Sequence, residues 1–455
     1  MALRSINPTN GELIREYAEA TPDEVARALQ GAARAFEAWR RTSCAERAER
    51  LQRAAALLEE RQEDLARLMA LEMGKPLVQG RAEAQKCAWV CRHYAETGAT
   101  ALEPEIVATD ARRSFVTFRP LGPVLAVMPW NFPFWQVFRF LAPALMAGNA
   151  ALLKHSSNVC GCALEIEALV RAAGFPAELF RTLLVAAPRV AELIDAPEVR
   201  AVTLTGSTPA GEAVAARAGQ RLKKTVLELG GSDPYLILED ADVEQAAQIC
   251  AASRLINSGQ SCVAAKRFVV VQARRDEFER RFMECLQAHC VGDPLEDGVD
   301  VGPQARHDLR DELHAQVQAS VQRGARLLLG GRRPAGPGAF YPISLLTDVA
   351  PGMPAYDDEL FGPVAAVIPV RDEAEALRVA NDTPFGLGAA VFTRDLARGE
   401  RLAAEELEAG ACFVNTFVKS DPRLPFGGVK ASGYGRELSH YGLREFVNVK
   451  TVYVG

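Results

Sequence analysis

The fold is decided by residues 201–231, which have the sequence AVTLTGSTPAGEAVAARAGQRLKKTVLELGG. Short apolar runs at 202–204 and 225–228 flank a run with helical character at 211–219. This order predicts a strand, a helix and a second strand, and such a unit pairs its strands in parallel. Gly206 and the paired Gly230 and Gly231 stand where the chain leaves each strand, so ligands are expected at that edge of the sheet.

Working outward from this unit, the same alternation extends in both directions. Upstream, strands are predicted at 124–128 and 150–153 and a helix at 164–173. Downstream of Gly231 a second series of helices and strands is predicted. In chain order it consists of helix 243–257, strand 268–271, a helix near 276–289, and strands 365–370 and 389–392. The sequence therefore predicts a doubly wound α/β protein with two parallel sheets.

The flanking segments have a different pattern. Three helices are predicted in the first hundred residues, the first after Thr21-Pro22-Asp23-Glu24, the second over 45–73, and the third over 82–97 with Gly98 as its stop signal. Residues 114–120 and the tail 447–454 have strand character. A terminal strand of this kind predicts either a subunit interface or pairing within the chain.

Composition excludes several functional classes. The 455 residues carry a formal net charge of −6, which argues against a general nucleic-acid binder. The longest apolar run, 141–153, is too short to span a bilayer and contains Pro143 and Asn149, so no membrane association is expected. The ten cysteines form no CxxC pair and no metal-ligand cluster. We therefore expect a cytoplasmic protein with reduced thiols and no bound metal.

Cys262 is a candidate nucleophile because it lies on a loop after Gly259, between a predicted helix and a predicted strand. The thiolate is the nucleophilic form, and backbone N–H groups around such a loop can lower the pKa of its thiol. Taken alone the signal is weak, since most of ten cysteines must be small core residues.

Two other polar residues follow predicted strands. Glu228 ends the 225–228 strand beside two glycines, which suits a general base, although a surface Glu at a strand end is common. Asn131 follows the 124–128 strand, and its amide can stabilise an oxyanion or simply cap a turn. Gly206 and Ser207 form a turn at a helix start that can hold a pyrophosphate, or serve only as a connection.

These segments resemble the aldehyde dehydrogenase superfamily, and they occur in that family's order along the chain. The matching motifs are PWNFP (129–133), a strand ending in Lys154, TGS (205–207), LELGG (227–231), GQSC (259–262), ELFGP (359–363) and PFGGVKASGYGRE (425–437). Glu228 lies 34 residues before Cys262 and Glu359 lies 97 residues after it, spacings that are also those of the family. The resemblance covers nearly the whole chain.

The resemblance implies a role for each matching residue. Cys262 corresponds to the nucleophile, Glu228 to the general base and Asn131 to the oxyanion donor. The cofactor-binding positions that it implies are Trp130, Lys154, Ser157, Gly206, Ser207, Glu359 and Phe361. The implied fold is a Rossmann-type cofactor domain (1–102 and 121–230), an α/β catalytic domain (231–430) and a β oligomerisation element (103–120 and 431–455) in a homodimer or homotetramer.

Within the superfamily the chain most resembles the shorter bacterial succinate-semialdehyde dehydrogenases. Arg139 lies eight residues past Asn131, about two helical turns along a helix that points toward the substrate, and its guanidinium suits a carboxylate. A surface Arg is the alternative. Ser261 and Ser420 correspond to further substrate contacts. Some relatives place a second Arg where this chain has Ile256, so a site with one Arg is expected to admit glutarate semialdehyde or other small aldehydes as well.

The cofactor is expected to be NADP or NAD. NAD-preferring relatives often carry Glu three residues past the ribose-binding lysine, where it repels a 2′-phosphate. This chain has Ser157 there, with Lys154 and His155 nearby. A second cysteine that some relatives carry two residues after the nucleophile is replaced by Ala264, so no disulfide switch is expected.

Two other functions stay open at this point. A CoA-acylating enzyme would also form a thioester, but such relatives usually lack the base that corresponds to Glu228. A non-catalytic binding protein would not need the set Asn131, Glu228, Cys262 and Glu359.

Overall fold

The computed structural model describes residues 2–455 and contains fifteen α-helices and eighteen β-strands. The strands are β1 (Leu3–Ile6), β2 (Leu13–Tyr17), β3 (Glu105–Ile106), β4 (Arg113–Pro120), β5 (Pro123–Met128), β6 (Ala150–His155), β7 (Phe180–Thr182), β8 (Ala201–Thr205), β9 (Lys224–Glu228), β10 (Pro234–Ile237), β11 (Arg267–Val271), β12 (Arg326–Leu329), β13 (Ser344–Thr347), β14 (Val364–Val370), β15 (Gly388–Phe392), β16 (Ala411–Val414), β17 (Gly433–Tyr434) and β18 (Val447–Val454).

The helices are spread along the same chain. They are α1 (Pro22–Trp39), α2 (Cys44–Glu60), α3 (Gln62–Met73), α4 (Leu77–Ala101), α5 (Trp135–Ala147), α6 (Cys160–Ala172), α7 (Val190–Asp195), α8 (Thr208–Gln220), α9 (Val243–Leu255), α10 (Arg275–Gln287), α11 (His307–Gln322), α12 (Pro354–Asp357), α13 (Glu373–Asn381), α14 (Leu396–Arg401) and α15 (Ser439–Glu445). No helix within residues 2–455 is both long and apolar enough to cross a membrane.

The first large sheet has the strand order β17-β9-β8-β5-β6-β7, and its pairs from β9 to β7 are parallel. The pattern around residues 201–231 predicts this arrangement, and the prediction is confirmed. Its central strands are fully buried because α-helices cover both faces, as in other parallel sheets. Strands β9, β8, β5 and β6 therefore bring their carboxyl ends to one edge in that order.

The second large sheet has the order β12-β13-β14-β11-β10-β15-β16, with only the β12–β13 pair antiparallel. It confirms the predicted second α/β series. Its strands β10, β11 and β15 are apolar and almost wholly buried between two hydrophobic clusters. The loop that carries Cys262 enters this sheet directly, because β11 begins at Arg267.

The N-terminal helices differ from the prediction in two places. The helix predicted over 45–73 is interrupted at Arg61, which ends α2 and begins α3. Gly98 does not stop the third helix, since α4 continues to Ala101. A Cβ on Gly98 would lie 2.4 Å from Cγ of Met146, so the glycine is needed for close packing of α4 on α5. A hairpin, β1 with β2, also precedes the helices and was not predicted.

A third sheet has the order β18-β4-β3. The terminal strand pairs with β4 along its whole length, from Val447 opposite Pro120 to Val454 opposite Arg113. Of the two alternatives that the sequence left open, pairing within the chain is therefore realised. The segment 431–455 is not confined to this sheet, however, because β17 adds to the first large sheet beside Glu228.

Candidate active site

Two cavities meet at Cys262. One has a volume of about 590 Å³ and lies at the carboxyl edge of the first sheet. The other has a volume of about 680 Å³ and lies on the opposite side of Cys262, among α4, α5 and the loop around Ser420. Because Cys262 lines both, a ligand in either cavity can reach its thiol.

The first cavity contains most of the predicted cofactor residues. Its lining includes Trp130, Asn131, Gly206, Ser207, Glu359 and Phe361. The rings of Trp130 and Phe361 meet edge to face with their centroids 5.7 Å apart, which makes an aromatic wall. Ser207 precedes α8, and its side chain does not cap that helix. Thr208 and Pro209 also line the cavity, so the uncapped start of α8 lies at its wall.

Lys154 and Ser157 lie outside this lining, at the end of the neighbouring strand β6. The register of β5 and β6 sets Lys154 opposite Val127, three residues before Trp130. Burial lowers the pKa of the Lys154 ammonium. Both residues are therefore beside the cavity rather than within its wall.

His155 does not point toward this region, contrary to the expectation that it stands near a 2′-phosphate. Its buried ring contacts the loop that carries Asn131, with Nε2 2.9 Å from the Pro133 carbonyl. The amide of Ser156 donates to Nδ1, so the proton lies on Nε2. Burial lowers the pKa of His155 to about 4, and the neutral ring therefore holds the loop.

The Cys262 loop is held by Lys266, a residue that sequence reasoning missed. Its buried Nζ donates to the Ser261 carbonyl at 2.8 Å and to the Cys262 carbonyl at 2.7 Å. The same Nζ lies 3.0 Å from Oε1 of Glu359. Glu359 also accepts a hydrogen bond from the amide of Gly231 at 3.1 Å. One ammonium thus connects the nucleophile loop to the carboxylate in the first cavity.

Glycines allow these loops to approach each other. Gly259 has φ +76, and a Cβ there would lie 2.2 Å from the Gly362 carbonyl oxygen, so the GQSC and ELFGP loops meet backbone to backbone. A Cβ on Gly231 would lie 2.8 Å from the Cys262 carbonyl oxygen. Glycines of the GQSC, ELFGP and LELGG motifs therefore allow close backbone contacts around Cys262.

Asn131 lies beside the nucleophile through a network of amides. Its Nδ2 donates to the Gln260 carbonyl at 3.1 Å. Asn257 donates from Nδ2 to the carbonyls of Asn131 and Gln260, at 2.6 and 2.9 Å. The predicted helix over 243–257 ends at Leu255 because Ile256 leaves the helical conformation. Asn257 and Ser258, which follow, are left-handed, and the Asn257 amide joins this network.

Glu228 is buried at the end of β9, and neither carboxylate oxygen has a hydrogen-bond partner within residues 2–455. A Cβ on Gly427 would lie 2.8 Å from its Oε1, so the PFGG segment packs directly against it. Burial raises the pKa of Glu228 well above its usual range, while the positive charge of Arg139 opposes the shift. Burial therefore favours the neutral form of this carboxyl in the ligand-free protein.

The expectation of a lowered thiol pKa is wrong for this ligand-free form. Burial raises the pKa of Cys262 to about 12. Arg139 and Lys266 lower it, but the negative charges of Glu359 and Glu228 act in the other direction. The thiol is therefore protonated at rest, since loss of its hydration outweighs the two nearby cations.

The second cavity contains the predicted substrate residues. Arg139, Ser261, Ser420 and Cys262 all line it. Arg139 forms a buried ion pair through Nε with Glu437 and donates from Nη2 to the Thr205 hydroxyl at 3.3 Å. Within residues 2–455 no hydrogen bond involves its Nη1. Glu437 belongs to the GRE segment of the last motif, yet its pairing with Arg139 has no signal in the sequence.

Lys86 is a further residue that the sequence did not single out. It extends from α4 into the second cavity, donates from Nζ to the Ser420 hydroxyl at 2.8 Å, and lies 4.4 Å from the ring centroid of Trp135. Residues 86 and 420 are far apart in the chain, so only the tertiary fold, which packs the Ser420 segment against α4, brings them together.

Comparisons with known proteins agree with this geometry. The sequence model of the aldehyde dehydrogenase family matches residues 1–452. The chain is 46% identical over 449 residues to the succinate semialdehyde dehydrogenase NAD(P)+ Sad of Escherichia coli strain K12, covering 99% of this chain and 97% of the relative. It is 46% identical over 457 residues to the succinate-semialdehyde dehydrogenase NADP(+) of Mycobacterium leprae, covering 100% of both. The solved structure of succinic semialdehyde dehydrogenase from Streptococcus pyogenes in complex with NADP+ matches with a TM-score of 0.97 and 34% identity, covering 100% of both chains.

Proposed function

The chain belongs to the aldehyde dehydrogenase family, and from this premise we propose that it oxidises succinate semialdehyde to succinate with NADP⁺, or alternatively with NAD⁺. The observation that carries the proposal is the buried cation Arg139 in the wall of the same cavity that ends at Cys262. A cation in that wall favours an aldehyde that carries a carboxylate. The names of the relatives from Escherichia coli and Mycobacterium leprae support the same substrate.

The first cavity fits the nicotinamide cofactor. It is large enough for part of a dinucleotide, has the aromatic wall of Trp130 and Phe361, and ends at the reacting thiol. In the proposed complex the amides at the start of α8, with Gly206 and Ser207, hold the pyrophosphate. Glu359 and Phe361 hold the nicotinamide ribose and ring.

The adenosine end of the cofactor is assigned to β6. Lys154 would hold the adenosine ribose, and Ser157, which takes the place of a repulsive Glu, leaves room for a 2′-phosphate. The relative from Streptococcus pyogenes has NADP+ bound. We therefore place NADP⁺ ahead of NAD⁺ as the cofactor.

The residues around Cys262 can perform the complete oxidation. The Cys262 sulfur adds to the aldehyde carbon while its proton passes to the ionised Glu228 carboxylate, and Asn131 donates a hydrogen bond to the resulting oxyanion. Glu228 releases this proton to solvent before the hydrolytic step. The nicotinamide, when bound, would supply the hydride acceptor, and loss of a hydride from this carbon leaves a thioester on Cys262. Glu228 then takes a proton from water, whose oxygen attacks the thioester and releases the acid and the free thiol.

A kinetic panel tests the proposal. Succinate semialdehyde, glutarate semialdehyde and butanal are each measured with both nicotinamides by following absorbance at 340 nm. We expect succinate semialdehyde to have the highest kcat/KM and no turnover in Cys262→Ala. A higher kcat/KM for butanal than for both semialdehydes would contradict the proposal.

The alternative within the same chemistry is a broader specificity for small aldehydes, including glutarate semialdehyde. Ile256 lines the second cavity where some relatives carry a second Arg. In the panel, kcat/KM values for glutarate semialdehyde and succinate semialdehyde that agree within threefold would favour this alternative. An acyl-CoA product on addition of CoA would favour acyl transfer instead of hydrolysis.

We also propose a homodimer or homotetramer in the cytoplasm, with the division into domains stated above. The sheet of β18, β4 and β3 supports the assembly, because β18 is an edge strand whose Val449 and Tyr453 are more than half exposed. Unpaired apolar strands at a sheet edge favour association with another chain. Light scattering coupled to size-exclusion chromatography tests the assembly, and a monomer at micromolar concentration would refute it.

A further inference from the structure

We infer that Lys86 is a second substrate-binding cation, which binds the carboxylate of the semialdehyde together with Arg139 and Ser420. The inference rests on the proposed function and specifies how the carboxylate is recognised. The sequence predicts a site with one Arg, because Ile256 stands where some relatives have another. The structure places a lysine from α4 in the same cavity wall.

The position of Lys86 is defined by contacts with two other parts of the chain, the Ser420 segment and α5. Its Nζ is 2.8 Å from the hydroxyl of Ser420, and it lies over Trp135, 4.4 Å from the ring centroid. Trp135 and Arg139 are four residues apart on α5 and so share one face of that helix. Lys86 and Arg139 line the same cavity, and the charge of Arg139 acts on Lys86, so one anion in this cavity interacts with both cations.

No carboxylate of the described residues neutralises the charge of Lys86. Within residues 2–455 no carboxylate oxygen lies within ion-pair distance of its Nζ. The two acids nearest in its surroundings have other partners. Glu83 is paired with Lys75 and accepts from the amides of Phe134 and Trp135, and Asp421 is paired with Arg423 at 2.7 Å.

The positive charge of Arg139, by contrast, is partly neutralised by its ion pair with Glu437. A half-neutralised guanidinium attracts a substrate carboxylate less strongly than a free one. Lys86 restores a net positive charge to this wall of the cavity. A charged group without a partner in a partly dehydrated site raises the free energy of the protein. Binding of an anion there lowers it again.

Burial and the neighbouring Arg139 lower the pKa of Lys86 to about 8. A bound carboxylate stabilises the ammonium, so Lys86 should bind the semialdehyde well below about pH 8 and less well above it. The charged and titratable groups that act on Lys86 are Arg139, Cys87, Glu83 and Asp421, and the same cavity is also lined by His289, Asp300, Lys419 and Arg423.

The experiment compares succinate semialdehyde with butanal, which has the same number of carbons and no carboxylate. The measured quantity is the ratio of their kcat/KM values, because Cys262 and the cofactor are common to both reactions. We expect Lys86→Met to lower this ratio tenfold or more, mainly through a higher KM for the semialdehyde. Lys224→Met removes the same charge at the amino end of β9, where it lines neither cavity, and should change the ratio less than twofold.

A charge-conserving variant separates binding from a structural role. The wild-type KM for the semialdehyde should rise above about pH 8 relative to that for butanal, whereas Lys86→Arg should keep a low KM up to pH 9.5, because a guanidinium does not titrate there. Lys86→Met is checked by its melting temperature and elution volume, so that misfolding is recognised.

The outcomes separate this inference from the proposed function. If the wild type prefers butanal, the proposed function fails and this inference fails with it. If the wild type prefers succinate semialdehyde and Lys86→Met keeps the same ratio, the substrate assignment stands and the role of Lys86 is refuted. An equal loss for both aldehydes in Lys86→Met would also refute it, since that result indicates a structural effect.

Discussion

Replacing Lys266 by Met should separate the nucleophile loop from the cofactor site. The wild-type ammonium is buried and makes three contacts, to the carbonyls of Ser261 and Cys262 and to Glu359. Methionine has a similar length and no charge, so it fills the volume and removes all three contacts. Sequence reasoning gives no role to this lysine, which makes the variant a test of the structure.

The magnitude follows from these contacts. Two hydrogen bonds from a charged donor contribute about 1.5–3 kcal/mol each. Their loss is offset in part because the buried ammonium no longer has to be dehydrated. Glu359 keeps the Gly231 amide and is about one-fifth exposed, so it adds little to the cost. We expect a net loss of about 2–4 kcal/mol in the positioning of Cys262, which corresponds to about 30-fold or more in kcat.

Three measurements check this expectation. Initial rates should show a lower kcat and a KM for NADP⁺ raised severalfold, because Glu359 loses its partner. Alkylation of Cys262 by iodoacetamide, followed by peptide mapping, should be slower, since the positive charge of Lys266 lowers the pKa of that thiol. If Lys266 had only a structural role, its replacement by Met would change neither the KM for the cofactor nor the alkylation rate of Cys262 alone.

Lys223 provides the matched control. Its Nζ also donates to two carbonyls, those of Ile194 and Ala196, but it lies away from both cavities. Lys223→Met should lower the melting temperature and leave kcat within twofold. If Lys266→Met retains kcat within threefold and binds NADP⁺ as the wild type does, the reasoning about Lys266 is refuted.

Three further predictions follow from the site and the packing. Glu228→Gln removes the proton acceptor, so we expect a first turnover of at most one equivalent of reduced nicotinamide per active site. The steady-state rate that follows should be at least about 100-fold lower than that of the wild type, and sustained wild-type turnover would contradict this role. Because burial raises the pKa of Cys262 to about 12, its alkylation in the ligand-free enzyme should accelerate about tenfold per pH unit from 7 to 10, and a plateau near pH 8 would show that the thiol ionises normally. Gly98→Ala places a methyl group against Met146 and should destabilise the protein by about 1–3 kcal/mol, measured by thermal unfolding, while Gly219→Ala, where no atom lies within 4 Å, should not destabilise it.

Much of the fold was predictable because its signals are local. Strand and helix alternation around residues 201–231 depends on the spacing of apolar residues along a few turns, and the parallel sheet follows from it. The prediction failed at Gly98, where the glycine is required by a contact with Met146 on another helix. A residue whose role is set by a distant neighbour has no signature in its own segment.

The candidate site divides in the same way. The sequence by itself determined which segments carry Cys262, Glu228, Asn131 and Glu359, because each belongs to a short motif whose glycines and polar residues have local tasks. The charges around them were decided only by the tertiary structure. Arg139 is paired with Glu437, Lys266 joins Cys262 to Glu359, and Lys86 enters the second cavity from a helix far away in the chain.

The thiol pKa shows the physical reason. A loop of this type predicts a lowered pKa, and the folded structure raises it to about 12 because burial removes the water that would stabilise the thiolate. Desolvation and Coulomb interactions depend on distances between residues that are remote in sequence. The identity of the reacting groups is therefore encoded in short motifs, whereas their protonation and their partners are set by the packing that surrounds them.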